Sequence, residues 1–315
     1  MISKEDIQKQ IRFALEKTDL PLGERYQGKV RDVYRQQERM IIITTDRISA
    51  FDHVLGTIPF KGQVLNQMAA FWFDKTKHIV RNHVLDNPDP NVMVVEECKA
   101  IPIEMVVRGY ITGSLWREYA AGKRQLYGIT FKEGLKKDQK FKQSILTPTT
   151  KEQYGKHDKP VSREEILREK IVEKHLYEDM EDAALHLFEK GTEIAAKHGL
   201  ILVDTKYEFG LLDGELVLID EIHTPDSSRF WHAKSYEQLF NVSMDQQMLD
   251  KEFVRQWLIE RGFMGEGKPP ALTDDLKVAA AQRYIENFEL ITGQEFEGMV
   301  GDVQQRIAEN LRAYF

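Results

Sequence analysis

Two strand-like runs at 200–212 and 215–222, separated only by Asp213-Gly214, constrain this chain more than any other feature. Apolar, β-branched stretches joined by Asp-Gly predict an antiparallel hairpin. Along the first run Asp204, Lys206 and Glu208 fall at alternate positions, so their side chains share one face. Carboxylates beside a buried run need partners, because an isolated buried charge is strongly unfavourable. Internal Asp/Lys and Glu/Lys pairs are one solution. The other is a Mg ion bridging the carboxylates to nucleotide phosphates, since a hard cation prefers oxygen ligands. Register separates them: a two-residue turn pairs Glu208 with Ile219 and sends Asp220 to the opposite face. Joint metal binding by Glu208 and Asp220 therefore predicts an odd-length loop with Gly214 left-handed.

Around this hairpin the chain reads as mixed α and β. A capping-box pattern at Ser3 and Asp6 opens helical spacing over 3–17. Residues 28–45 read as a strand ending in the apolar run Met40–Ile43, 61–79 as a helix, and 92–107 as strand interrupted by Pro102. The stretch 131–160, rich in Lys, Thr and Asp, predicts a long surface connection. A second capping box at Ser162 and Glu165 opens helical sequence that runs to His198 and stops at Gly199. Helical spacing returns at 245–261, 275–292 and 301–313, so the C-terminal part is mainly helical and a regular parallel βαβ sheet is disfavoured. At 315 residues with 42% hydrophobic content, the chain predicts two domains, 1–109 and 110–315.

A net charge of -7 argues against a nucleic-acid partner, and anionic ligands would require basic residues concentrated locally. A single cysteine, Cys98, excludes an internal disulfide framework and fits a reducing compartment. The opening residues are mixed in charge, without a signal or membrane span, so the expected location is the cytoplasm.

Three further segments carry chemistry. In Gly28-Lys29-Val30-Arg31-Asp32 a glycine permits close backbone approach, and two cations at alternate positions share a strand face suited to a phosphate chain. In Arg108-Gly109-Tyr110-Ile111-Thr112-Gly113-Ser114 an arginine ends an apolar strand before a glycine turn and a hydroxyl, a pattern that can clamp phosphate or carboxylate. Thr224-Pro225-Asp226-Ser227-Ser228-Arg229 supplies another arginine with hydroxyls. Each also suits an ordinary surface pair or strand-to-loop transition. His223 and His157 read as structural or solvent-facing.

Taken in order, 28–32, Thr45-Asp46-Arg47-Ile48-Ser49-Ala50-Phe51-Asp52, 108–114, 204–210 and 220–229 resemble the motifs of SAICAR synthetases. The connection around Pro148-Thr149-Thr150-Lys151 is similar to the longer members, while Leu249 stands where a tyrosine often precedes the aspartate. The resemblance implies an α+β fold of two lobes, an N-terminal domain like a protein kinase's small lobe and a C-terminal domain related to ATP-grasp proteins. It implies ATP, L-aspartate and carboxyaminoimidazole ribotide (CAIR) as substrates and Mg as cofactor, with no nucleic-acid or membrane partner; the oligomeric state stays open. Transfer of the ATP γ-phosphoryl group to the carboxylate would make an acyl phosphate that the aspartate amine attacks, chemistry that rests on positioning and charge neutralisation. Carried over by motif, Lys29, Arg31 and Lys151 contact ATP, Glu208 and Asp220 hold Mg, and Lys206 neutralises developing charge. Arg108, Ser114 and Arg229 hold the ribotide, with Asp226, Lys251, Asp46, Arg47 and Ser49 near the substrates. A small-molecule kinase and a nucleotide-binding regulator without turnover are the alternatives.

Overall fold

The computed structural model describes residues 2–51, 53–151, 159–249 and 252–315, with backbone alone at Glu252. Asp52, His157 and Lys251 lie outside the described residues. The fold is mixed α and β, in two compact units: 1–73, 83–97 and 250–315 form one, and 74–82 with 98–249 form the other. The boundary expected at Gly109 falls inside an uninterrupted strand, Lys99–Ile111. The chain instead passes between units before that strand, and its C-terminal helices belong to the first unit.

The first unit is built on a five-stranded antiparallel sheet in the order Glu24–Gln27, Arg31–Gln36, Arg39–Thr44, Val92–Glu96, Val84–Asp89. What reads as a single strand over 28–45 is thus a turn followed by a hairpin. Gln36 pairs with Arg39, and Gln37 turns the chain at φ 32°. A turn made without Gly, Pro or Asn leaves little trace in sequence. Helix Lys4–Gln10 begins at the expected capping box, but it is shorter than its apolar spacing suggests and ends in a 3-10 turn, Ile11–Phe13. The last helix, Val303–Asn310, sets Val303 and Ile307, with Leu311 beyond it, against Tyr34, Ile41, Ile43, Val92 and Val94. Burying such side chains stabilises by about 1.5–3 kcal/mol each. Arg306 fastens that helix by a bidentate pair to the buried Asp89, at 2.9 and 3.1 Å.

The second unit centres on a seven-stranded antiparallel sheet in which Lys99–Ile111 and Leu200–Leu212 lie side by side. Strand Glu215–Ile219 flanks the second of these beyond the two-residue turn, and Ser228–His232 pairs with its first half. Among its described residues, the region expected as a surface connection holds three strands: Gln139–Leu146 and Thr149–Thr150, both paired with Lys99–Ile111, and Lys159–Pro160, paired with Thr149–Thr150. Its alternating lysines suit the rim of a sheet, where charge discourages further pairing, and in sequence they read as loop. Helix Lys174–Lys197 packs close to the sheet through Gly191, where an added Cβ would lie 2.5 Å from the His223 ring and 2.8 Å from Leu202. His223 is fully buried and bonds the Tyr207 hydroxyl at 2.6 Å. Burial pulls its pKa down to about 3, so it stands neutral in the core.

Candidate active site

Strand alternation sends Asp204, Lys206 and Glu208 to one face, while Tyr207 and Phe209 are fully buried on the other. The neighbouring strand adds a residue opposite each end, because Asp204 pairs with Arg108 and Glu208 with Glu104. Two charged clusters result on the same sheet face, four residues apart along the strand, or about 13 Å.

The first cluster gathers carboxylates around Lys206. Its ammonium lies 3.1 Å from Glu104 and 3.5 Å from Asp220, and it bonds Glu208, which also takes a bond from Lys151. Burial opposes charge on Lys206, but Glu208, Asp220 and Glu104 outweigh it and hold the ammonium well above the usual lysine range. Burial and then the neighbouring Asp220 charge push the Glu208 carboxyl upward, against the pull of Lys206 and Lys151. Burial would also lower Lys151, yet the charge and hydrogen bond of Glu208 raise it.

Asp220 reaches this cluster by a route the register argument did not foresee. The turn has two residues, with Glu208 opposite Ile219 and Leu212 opposite Glu215, so the odd-length loop is not formed. Strand order ends at Ile219, and Asp220 then takes a left-handed conformation, φ 68°, that returns its carboxylate to the side of Lys206. A short polar side chain tolerates that backbone better than most, but it is still strained. Parity counts faces only while the chain remains extended.

Glu208 and Asp220 together offer hard carboxylate oxygens held close enough to repel each other. That donor set fits a divalent cation, which one or two protein carboxylates and substrate phosphates usually hold. Among the described residues no group of three or more His, Cys, Asp or Glu side chains is arranged to hold a metal by itself.

The second cluster is a row across three strands. Asp204 pairs with Arg108 on one side and Arg229 on the other. Arg229 grips Asp204 through Nε at 2.9 Å and Nη2 at 2.6 Å, and Arg108 Nη1 reaches the same carboxylate at 3.2 Å. Arg108 is further fixed by the Thr147 hydroxyl at 2.8 Å and lies 3.4 Å from that of Ser114. Burial, with the Arg229 charge, lowers the Arg108 pKa, and Asp204 opposes that loss. Gly113, at φ 56°, lets Arg229 lie against the backbone; a Cβ there would sit 1.8 Å from Nη1. Two guanidinium groups on one carboxylate leave net positive charge, a suitable seat for phosphate or carboxylate. Asp226 is half-buried in the loop before Arg229, and its backbone N–H lies 3.3 Å from the Thr224 hydroxyl.

In the first unit, Lys29 is exposed in the bend before strand Arg31–Gln36, and Arg31 is its first residue. The two cations therefore do not share a strand face by alternation. Arg47 braces this bend from within. It is 2% exposed, donates to the carbonyls of Lys29, Gly28 and Glu16, and pairs with Asp32 at 2.9 Å. Asp46 is buried as well, accepting from the backbone N–H groups of Gly62 at 2.8 Å and Leu15 at 2.7 Å. Ser49 is half-buried on strand Arg47–Ala50. Arg47 thus supports the backbone at Gly28 and Lys29, and Asp46 supports it at Leu15 and Gly62.

Burial pushes Asp46 up to about 6 from 3.8, against its two backbone bonds. The folded state then keeps a proton that the unfolded chain releases between those values. This contribution is complete below the unfolded value and disappears as pH rises through 6. The Asp46→Asn variant cannot titrate there. From pH 7 to pH 4, wild type should gain about 2 kcal/mol relative to the variant, measured by urea unfolding. A difference that does not change with pH would show that Asp46 stays ionised throughout.

Glu104 and Asp204 are the members of these clusters that motif reading left without a role. The cross-strand pairing of Glu104 with Glu208 was not visible in sequence, because it depends on which strands become neighbours. The sequence comparisons bear on the whole arrangement. A SAICAR synthetase family model matches residues 24–270. The chain belongs to the SAICAR synthetase family. A phosphoribosylaminoimidazole-succinocarboxamide synthase of Legionella pneumophila (strain Paris) is 46% identical over 311 residues, covering 96% of this chain and 99% of the relative. One of Bacteroides fragilis is 49% identical over 309 residues, covering 96% and 98%. In structure, the Saccharomyces cerevisiae SAICAR synthase complexed with SAICAR superposes with a TM-score of 0.80 at 32% identity, covering 90% of this chain and all of that one. A SAICAR synthetase in complex with ADP gives a TM-score of 0.67 at 25% identity, covering 87% of this chain. The family's α+β architecture is thus present in full, and among the described residues no helix is long and apolar enough to cross a membrane.

Proposed function

We propose that the two charged clusters are the reacting and the anchoring ends of one site, and that the chain uses them to condense CAIR with L-aspartate. The products are SAICAR, ADP and phosphate, the ligase step that its family performs in purine biosynthesis. The observation that carries the assignment of residues is the placement of both clusters on one sheet face, with Asp204 and Glu208 about 13 Å apart along the strand. That spacing suits a substrate anchored by its phosphate at one end and activated at a carboxylate at the other. The relative with ADP and the yeast enzyme with SAICAR support nucleotide and product binding here.

At the reacting end Lys206, raised in pKa and partly open to solvent, keeps its proton and can offset charge developing on a transferred phosphoryl group. Glu208 and Asp220 would hold Mg, with Lys151 bonded to Glu208; within the first unit, Lys29 and Arg31 are phosphate-binding candidates by motif. When bound, Mg neutralises and orients the nucleotide phosphates. At the anchoring end Arg108, Ser114 and Arg229 hold the ribotide, Asp204 holds the two guanidinium groups together, and Asp226 and Lys251 are further ribotide candidates by motif. No protein nucleophile is required: the CAIR carboxylate oxygen takes the γ-phosphoryl group as its bond to ADP breaks, and the aspartate amine then forms the C–N bond, releasing phosphate and a proton. We place the reaction in the cytoplasm, consistent with a lone, half-buried Cys98.

Purified protein with ATP, Mg, CAIR and aspartate should form SAICAR and ADP in equal amounts, followed by chromatography of both. Omitting aspartate should abolish SAICAR. Equal ADP without aspartate would favour a small-molecule kinase, and binding of ATP without any product would favour a regulator.

A further inference from the structure

Glu104 lies directly across the strand pair from Glu208, and both are more than nine-tenths buried. Like charges placed opposite one another in a sheet are destabilising, so the pair needs a cation to persist. Lys206 supplies it, reaching Glu104 Oε1 at 3.1 Å while also bonding Glu208. The other oxygen of Glu104 is fixed independently. Thr149 pairs with Glu104 from the far side, and its hydroxyl donates to Oε2 at 2.9 Å. Thr149, Glu104 and Glu208 therefore form one row across three strands, with the Lys206 ammonium above it.

Lys206 has three carboxylate neighbours, and two of them, Glu208 and Asp220, are the oxygens suited to a divalent ion. A cation bound there competes with the ammonium for both. Glu104 is then the remaining acceptor that keeps a four-carbon side chain in a single place, and Thr149 keeps Glu104 from turning toward the metal. We propose that Glu104 is a positioning residue for Lys206, holding its ammonium at the reacting phosphoryl group when Glu208 and Asp220 are engaged by the nucleotide's metal. This rests on the roles assigned above to Lys206, Glu208 and Asp220.

The test uses the full chain with Glu104→Gln and, separately, Thr149→Val. Turnover in the complete mixture should fall about 30-fold for Glu104→Gln and about 3- to 10-fold for Thr149→Val, since a misplaced group costs rate rather than binding. Affinity for Mg-ADP, measured by calorimetry, should remain within about threefold of wild type in both. Turnover within threefold of wild type in both variants would overturn the proposal. So would a parallel loss of Mg-ADP affinity, which would make Glu104 a ligand of the metal or nucleotide. If Glu104→Gln does not fold, Thr149→Val decides by the same criteria. Wild type run alongside separates the two levels: no SAICAR from wild type would reject the ligase reading itself, whatever the variants do.

Discussion

Replacing Lys206 by methionine is expected to lower turnover by about 10²–10³-fold, the usual loss when one preorganised charge-stabilising group is removed. The methionine preserves length and stem packing, so the change isolates the ammonium. Stability should fall too, because Glu104, Glu208 and Asp220 would then face one another without the ammonium between them, although Lys151 still bonds Glu208. Breaking a deeply buried ion pair typically costs about 3–5 kcal/mol, and the partial solvent exposure of Lys206 brings the expectation to about 2–3 kcal/mol. Initial rates and urea unfolding measure the two effects separately. Turnover within tenfold of wild type would remove Lys206 from the phosphoryl-transfer step, even if stability fell as expected.

The Arg306→Ala variant should leave the chemistry of the charged clusters untouched while destabilising the first unit by about 3–4 kcal/mol. Asp89 is fully buried at its side chain, and Arg306 is its bidentate partner; Asn310 at 2.8 Å and the Asn91 backbone N–H at 2.8 Å would remain. The same guanidinium also bonds the Asn91 side chain at 2.5 Å. Its loss releases the helix that carries Val303 and Ile307 onto the sheet. Unfolding followed by tryptophan fluorescence and calorimetry should show the transition about 6–16 °C lower. A shift under 2 °C would mean that apolar packing alone retains the helix.

These residues also show where sequence reading succeeds. Capping boxes at Ser3 and Ser162 were legible because they involve groups three positions apart, and both form as expected. The Asp213-Gly214 hairpin and the common face of Asp204, Lys206 and Glu208 were legible for the same reason, since turn chemistry and strand period are local. The placement of Asp220 was not. Its side was inferred by extending strand parity one residue past the strand's end, where a left-handed backbone reverses it.

By itself, the sequence determined the α+β composition, the helix starts near Ser3, Lys61, Ser162, Asp274 and Val303, the hairpin and, through its ordered motifs, the family and its ligase chemistry. All of these depend on residues near one another in the chain or on motif identity. Tertiary structure alone decided that Arg108, Asp204 and Arg229 stand in one row, that Glu104 faces Glu208, and that Asp46 and Arg47 support backbone. It also decided that residues 250–315 join the first unit and that Val303, Ile307 and Leu311 pack in the core of its sheet. The physical reason is common to these cases: each depends on which strands and helices become neighbours, and that choice follows from burial and charge pairing summed over segments far apart in the chain.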